Sequence, residues 1–152
     1  MSKSKDVNKN LIVALILLLV SMLFAGFALF AGSQGGEQSY EMSGKALSMF
    51  VRIFPAFGKL SYDMQMFYIR RLAHVFVYSG MGFFFSGWAF RAIRNKVASA
   101  VVAVMGPLAV SLIDELVIQA GAVGRNGTIK DVLFDMIFVV IAAVAAKVVA
   151  KR

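Results

Sequence analysis

The chain has 152 residues, 60% of them hydrophobic and only 16% charged, with a mean hydropathy of +0.79 and a formal net charge of +8. A soluble domain has about a quarter of its residues charged, so the expectation is a single all-α polytopic membrane domain, with no second domain. Cysteine is absent, which excludes disulfides, thiolate metal sites and cysteine nucleophiles; the basic residues flank apolar runs instead of forming one solvated face, so nucleic acid is not an expected partner.

The chain opens with a short basic stretch, MSKSKDVNKN, followed by Leu11–Ala31, which carries no charge. This run is long enough to cross a hydrocarbon core of about 30 Å. It exceeds the roughly 7–15 apolar residues of a signal peptide, and no small-residue cleavage site follows, so a retained helix is expected. Gly32 to Ser43 reads as a Gly- and Ser-rich loop. Within Ala46–Leu60, Leu47, Phe50, Val51 and Phe54 recur at helical spacing beside Arg52 and Lys59, with Pro55 interrupting. That stretch is too short to span and suits a short interfacial helix in the first external loop. An ordinary loop packed on the bundle is the competing reading.

Leu72–Phe90 is the second span, entered through Arg70 and Arg71 and left through Arg91, Arg94 and Lys96, with Trp88 at headgroup level. Val97 to about Ala120 is the third, bent at Pro107, and Asp131–Ala150 is the fourth. The expected architecture is a four-transmembrane-helix bundle with spans at about 11–31, 72–90, 97–120 and 131–150. Both termini then share a side that holds Lys3, Lys5, Lys9, Arg91, Arg94, Lys96, Lys147, Lys151 and Arg152 against the single acid Asp6. The other side holds seven basic and seven acidic residues. Cationic loops stay in the cytoplasm, which puts both termini there.

With this orientation, the polar residues that interrupt the spans converge at one depth near the outer surface. Arg70, Arg71 and His74 begin the second span, Asp114, Glu115 and Gln119 end the third, and Arg125, Asp131 and Asp135 occupy the last loop and the start of the fourth. Residues three and four apart share a helix face. Arg70, Arg71, His74 and Tyr78 therefore form one edge, Ser111, Glu115 and Gln119 another, and Asp131 and Asp135 a third, with Asp114 turned about 100° from Glu115. Charges within a bilayer are costly and usually functional. Here Arg70, Arg71 and Arg125 are the expected partners of the acids, since a guanidinium pairs two carboxylate oxygens and stays charged. One reading is a salt-bridge network that holds helices in register. The other is a pocket for a charged headgroup, with Arg125 in its Gly-rich loop (GRNGT) free to reach a phosphate.

His74 and Glu115 are the candidates for acid–base roles. His74, Asp114, Glu115 and Asp131 are metal-ligand types, but three nearby arginines repel a cation, so neither metal nor cofactor is expected. Nothing in the sequence sets Ser79 or Ser111 beside the histidine as a nucleophile.

These residues also carry a resemblance. Arg71-Leu-Ala-His74-Val-Phe-Val-Tyr78 resembles the R/K-x-A-H-F-x-x-Y signature of the VanZ-like family, and Asp114-Glu115-Leu-Val-Ile-Gln119 its D-E-x-x-Q stretch. Gly124-Arg125 through Asp131 and Asp135 resembles its P-G-R-x-x-x-x-x-D-x-x-x-N ending. The likeness covers roughly residues 65–140. Val123 stands where the family has proline, Asp135 where it has asparagine and Phe138 where it has glycine. The resemblance implies a bacterial cell-membrane protein linked to tolerance of glycopeptide antibiotics such as teicoplanin. The functional expectation is a non-enzymatic protein that binds an anionic lipid or lipid-linked envelope precursor at the outer leaflet. A small lipid-active enzyme using His74 and Glu115, and a structural or accessory subunit, are the alternatives.

Overall fold

The computed structural model describes residues 2–150, with side chains described from Lys9 onward. The side chains of Lys3, Lys5 and Asp6, and the residues Lys151 and Arg152, named above for orientation, lie outside it. The described chain is all helical: α1 (Ser2–Ser33), α2 (Gly36–Ile53), α3 (Tyr62–Ala92), α4 (Lys96–Ile113) and α5 (Ile129–Ala150), with a 3₁₀ turn at Pro55–Lys59 and a π-helical turn at Asp114–Gln119 continuing α4.

α1, α3, α4 and α5 form a bundle, and α3 packs against the other three. The helices alternate in direction. The end of α1 meets the end of α4 where Gly32 touches Asp114, and the start of α3 meets the start of α5 where His74 touches Asp135. At the opposite end Leu17 of α1 lies against Gly87 of α3, and Lys147 of α5 lies over the Phe90 ring of α3.

Three segments are long and apolar enough to cross a membrane: Lys9–Ser33, Lys96–Gln119 and Ile129–Ala150. Their large side chains point outward. Leu19, Leu23, Val101, Ile137 and Val144 are all more than half exposed, which suits a lipid solvent. α3 differs because it is the central helix. Its inner positions are Tyr78, Gly82, Ser86 and Gly87, all buried, and such residues dilute the apolar signal while letting helices approach. Gly82 lies against the backbone of Val139, fully buried on α5. Close packing of α3 on α5 therefore does not depend on a small residue at position 138, where Phe138 packs against Phe134.

One local expectation needs correction. The stretch from Gly36 to Ser43 is helix and not loop, and only Gln34 and Gly35 separate α1 from α2. Gly35 donates its N–H to the Gln38 side chain at 3.3 Å, and Gly36 donates to the Val123 carbonyl at 2.8 Å. Those bonds satisfy amides that a helix start leaves free. The amphipathic helix is thus longer and earlier than Ala46–Leu60. It ends at Ile53, two residues before Pro55, since proline cannot continue the hydrogen-bond ladder and restricts the residue before it.

Pro107 lies buried inside α4 without ending the helix. Proline supplies no N–H to the carbonyl four residues back. The Ser86 hydroxyl of α3 donates to that carbonyl, Ala103 O, at 3.3 Å. The departure from α-winding comes further on, at Asp114–Gln119.

Candidate functional site

The π-helical turn builds the site. Its wider winding carries each N–H to the carbonyl five residues back, and such turns recur at functional positions. Here it brings Asp114, Glu115 and Gln119, all buried, onto one face. The Gln119 Nε2 donates to Asp114 Oδ2 at 3.0 Å and to Glu115 Oε1 at 2.7 Å. Regular α-geometry turns the two acids away from each other, so the sequence reading of Asp114 as an outlier is replaced by a shared amide.

From that face a chain of polar contacts runs through the bundle. The Tyr78 hydroxyl donates to Asp114 Oδ2 at 2.8 Å. His74 Nδ1 lies 3.0 Å from Asp135 Oδ1 and 3.7 Å from Glu115 Oε1, and the imidazole stacks beside the Tyr78 ring. Asp135, fully buried, accepts the Ser111 hydroxyl on Oδ2 at 2.9 Å. Asp114 Oδ1 is buried with no hydrogen-bond partner among the described residues.

All nine residues expected at the site are brought to one end of the bundle, but the arginines are not placed as expected. Among the described residues only Arg71 forms an ion pair with an acid, Asp131, at 2.8 Å on the rim; Asp131 also accepts the Thr128 hydroxyl at 2.7 Å. Arg70 reaches only the Ser39 hydroxyl, at 3.4 Å. Arg125 is neither free nor paired with a carboxylate: it donates to the Ala31 carbonyl at 2.8 Å and to the Gln119 side-chain oxygen. Burial pushes the Arg125 guanidinium's pKa down, and the nearby positive charge of Arg70 pushes it the same way. The buried acids Asp114, Glu115 and Asp135 are therefore held by tyrosine, serine, glutamine and histidine side chains.

Two cavities flank this chain. The first, about 80 Å³, lies between α1, α2 and α3, with apolar walls from Phe27, Ala28, Met42 and Val77 and polar groups from Ser39, Tyr78 and Asp114. The second, about 440 Å³, is polar and is lined by Arg70, Arg71, Arg125, His74, Glu115 and Asp131 among others. Arg70, His74, Gln119 and Arg125 border both. His74, Glu115 and Asp135 each bring one ligand-type atom within 4.8 Å of the others, a set whose donors could take a divalent cation.

Several participants went unread in the sequence. The Ala31 carbonyl and Gly32 of α1 gave no side-chain signal at all. Thr128 and Asp131, three apart before an apolar run, form a cap that the spacing does encode: the Asp131 N–H lies 3.4 Å from the Thr128 hydroxyl oxygen. No protein-family model, curated protein or solved structure matches the chain.

Proposed function

We propose that this is a VanZ-like integral membrane protein of the bacterial cell membrane that binds an anionic lipid or lipid-linked envelope component at the outer leaflet, and so contributes to glycopeptide tolerance. The observation that carries this reading is the pairing of Arg70 and Arg125. Both border the two cavities, each is bonded to neutral oxygens only among the described residues, and their charges act on one another. Two guanidiniums that line one cavity and are not ion-paired offer an anion their donors, which a phosphate fills with paired hydrogen bonds, although Glu115 and Asp131 line the same cavity. The apolar cavity beside them suits the first carbons of a lipid chain.

The four-span arrangement fits the same reading. α3 is flanked by three spanning segments and runs alongside them for 31 residues, about 46 Å at 1.5 Å per residue. With both termini in the cytoplasm, the arginine-lined cavity opens at the outer surface. Native mass spectrometry of gently extracted protein should find a retained anionic lipid, and Arg70→Gln should lose it while folding normally. Wild-type protein that retains only neutral lipid would sink the headgroup reading and leave a structural or accessory subunit.

A further inference from the structure

We infer that His74 and Asp135 form a hydrolytic centre for a phosphomonoester carried on a lipid, an activity that rests on the anionic-headgroup reading above. The imidazole is held through one nitrogen. Nδ1 lies 3.0 Å from Asp135 Oδ1, and Asp135 is fully buried, its other oxygen fixed by Ser111 at 2.9 Å. Nε2 is on the opposite edge of the ring, and His74 lines the 440 Å³ cavity together with Arg70, Arg71 and Arg125. A histidine in the wall of a cavity, oriented at one nitrogen by a buried carboxylate, has the arrangement of a general base. The arginines bring the positive charge that binds a phosphate dianion and stabilises charge as it shifts during displacement.

The chemistry closes with groups already present. A water molecule attacks phosphorus while His74 Nε2 takes one of its protons. The P–O bond to the lipid breaks, and the departing oxygen takes a proton from the carboxylic acid form of Glu115, which lines the same cavity. The products are the lipid alcohol and inorganic phosphate. His74 then loses its extra proton to water and Glu115 regains one, so no oxidant or second substrate is needed. Asp135, held between His74 and Ser111, acts through the histidine and is a positioning residue.

The test uses the full chain in detergent with phosphatidate in phosphatidylcholine micelles as the probe, measuring bound lipid and released phosphate separately. Wild type should release phosphate, and His74→Gln should lower kcat by about 10²–10⁴-fold while still binding phosphatidate and unfolding at the wild-type temperature. Asp135→Asn, which keeps an acceptor for Nδ1, should lower kcat with KM unchanged. Binding without phosphate release overturns the hydrolytic centre and leaves the headgroup reading standing, whereas absence of both removes the two together. Activity abolished by EDTA and restored by Zn²⁺ or Mn²⁺ overturns the base role and makes His74, Glu115 and Asp135 cation ligands. Faster cleavage of glycerol 3-phosphate than of phosphatidate overturns the lipid-borne substrate.

Discussion

Gly32 of α1 lies so close against Asp114 that a β-carbon at position 32 would overlap the carboxylate Oδ1. That contact seats α1 on the π-helical turn. Gly32→Ala must displace the Asp114 carboxylate, which Tyr78 and Gln119 hold in place, and overpacking of this kind costs about 1–3 kcal/mol. Gly26, on the same helix, has nothing within 4 Å of an added β-carbon. Gly26→Ala should be neutral or stabilising by up to about 1 kcal/mol, since alanine has the better helix propensity. Thermal unfolding in detergent compares the two. Equal effects at both positions would mean that α1 does not seat on Asp114.

The Ser86 hydroxyl stands in for the N–H that Pro107 lacks. Ser86→Ala therefore strips the Ala103 carbonyl of its donor, and interhelical hydrogen bonds in membranes average about 0.6 kcal/mol with a maximum near 1.7. Pro107→Ala restores a backbone donor to the same carbonyl. Loss of the buried ring itself costs stability, so the informative quantity is the coupling. In a double-mutant cycle, Ser86→Ala should cost less in the Pro107→Ala background than in wild type. Additive losses would show that the serine does not compensate for the proline.

The two corrections at the site have different causes. Helical spacing in the sequence correctly grouped His74 with Tyr78 and Glu115 with Gln119, because i,i+4 geometry holds along α3 and nearly holds across the turn. The π-winding itself has no residue signature, so the convergence of Asp114 and Glu115 on one amide was invisible. The partners of the arginines were misread for another reason. Counting charges matched three guanidiniums to the acids, but Arg125 is claimed by Ala31 O on α1, 94 positions away in the chain. A backbone acceptor at that distance leaves no trace in composition or spacing. The amphipathic run was legible as a helix but not its start, because Gly35 and Gly36 read as loop until the Val123 carbonyl supplies a partner.

Arg70 and Arg125 should answer differently to lysine. Arg125 bridges a carbonyl of α1 and the Gln119 side chain, and a single ammonium cannot span both in that fork geometry. Hydrogen bonds to charged groups are worth about 1.5–3 kcal/mol, so Arg125→Lys should lower the unfolding temperature whether or not lipid is bound. Arg70 holds only a hydroxyl at 3.4 Å, so Arg70→Lys should leave folding unchanged and weaken retention of anionic lipid. Lipid-independent destabilisation at Arg70 would identify it as a structural residue and take away half of the anion receptor.

The chain has no cysteine, so single cysteines report topology without background. Glu41 on α2 and Asn126 in the last loop are exposed at the end of the bundle that holds the site, and Ala92 is exposed at the opposite end of α3. The hydrogen bond from Gly36 to Val123 ties the first two regions together. If α3 crosses the membrane and cationic loops stay inside, Glu41→Cys and Asn126→Cys should react with an impermeant maleimide in intact cells. Ala92→Cys should react only after permeabilisation, because Arg91, Arg94 and Lys96 beside it hold that end in the cytoplasm. The reverse labelling pattern would keep four spans but turn the site inward, and the lipid would then have to come from the cytoplasmic leaflet. Labelling of Ala92 from the same side as Glu41 would mean that α3 does not cross, leaving three spans and a site that no longer sits at a membrane surface.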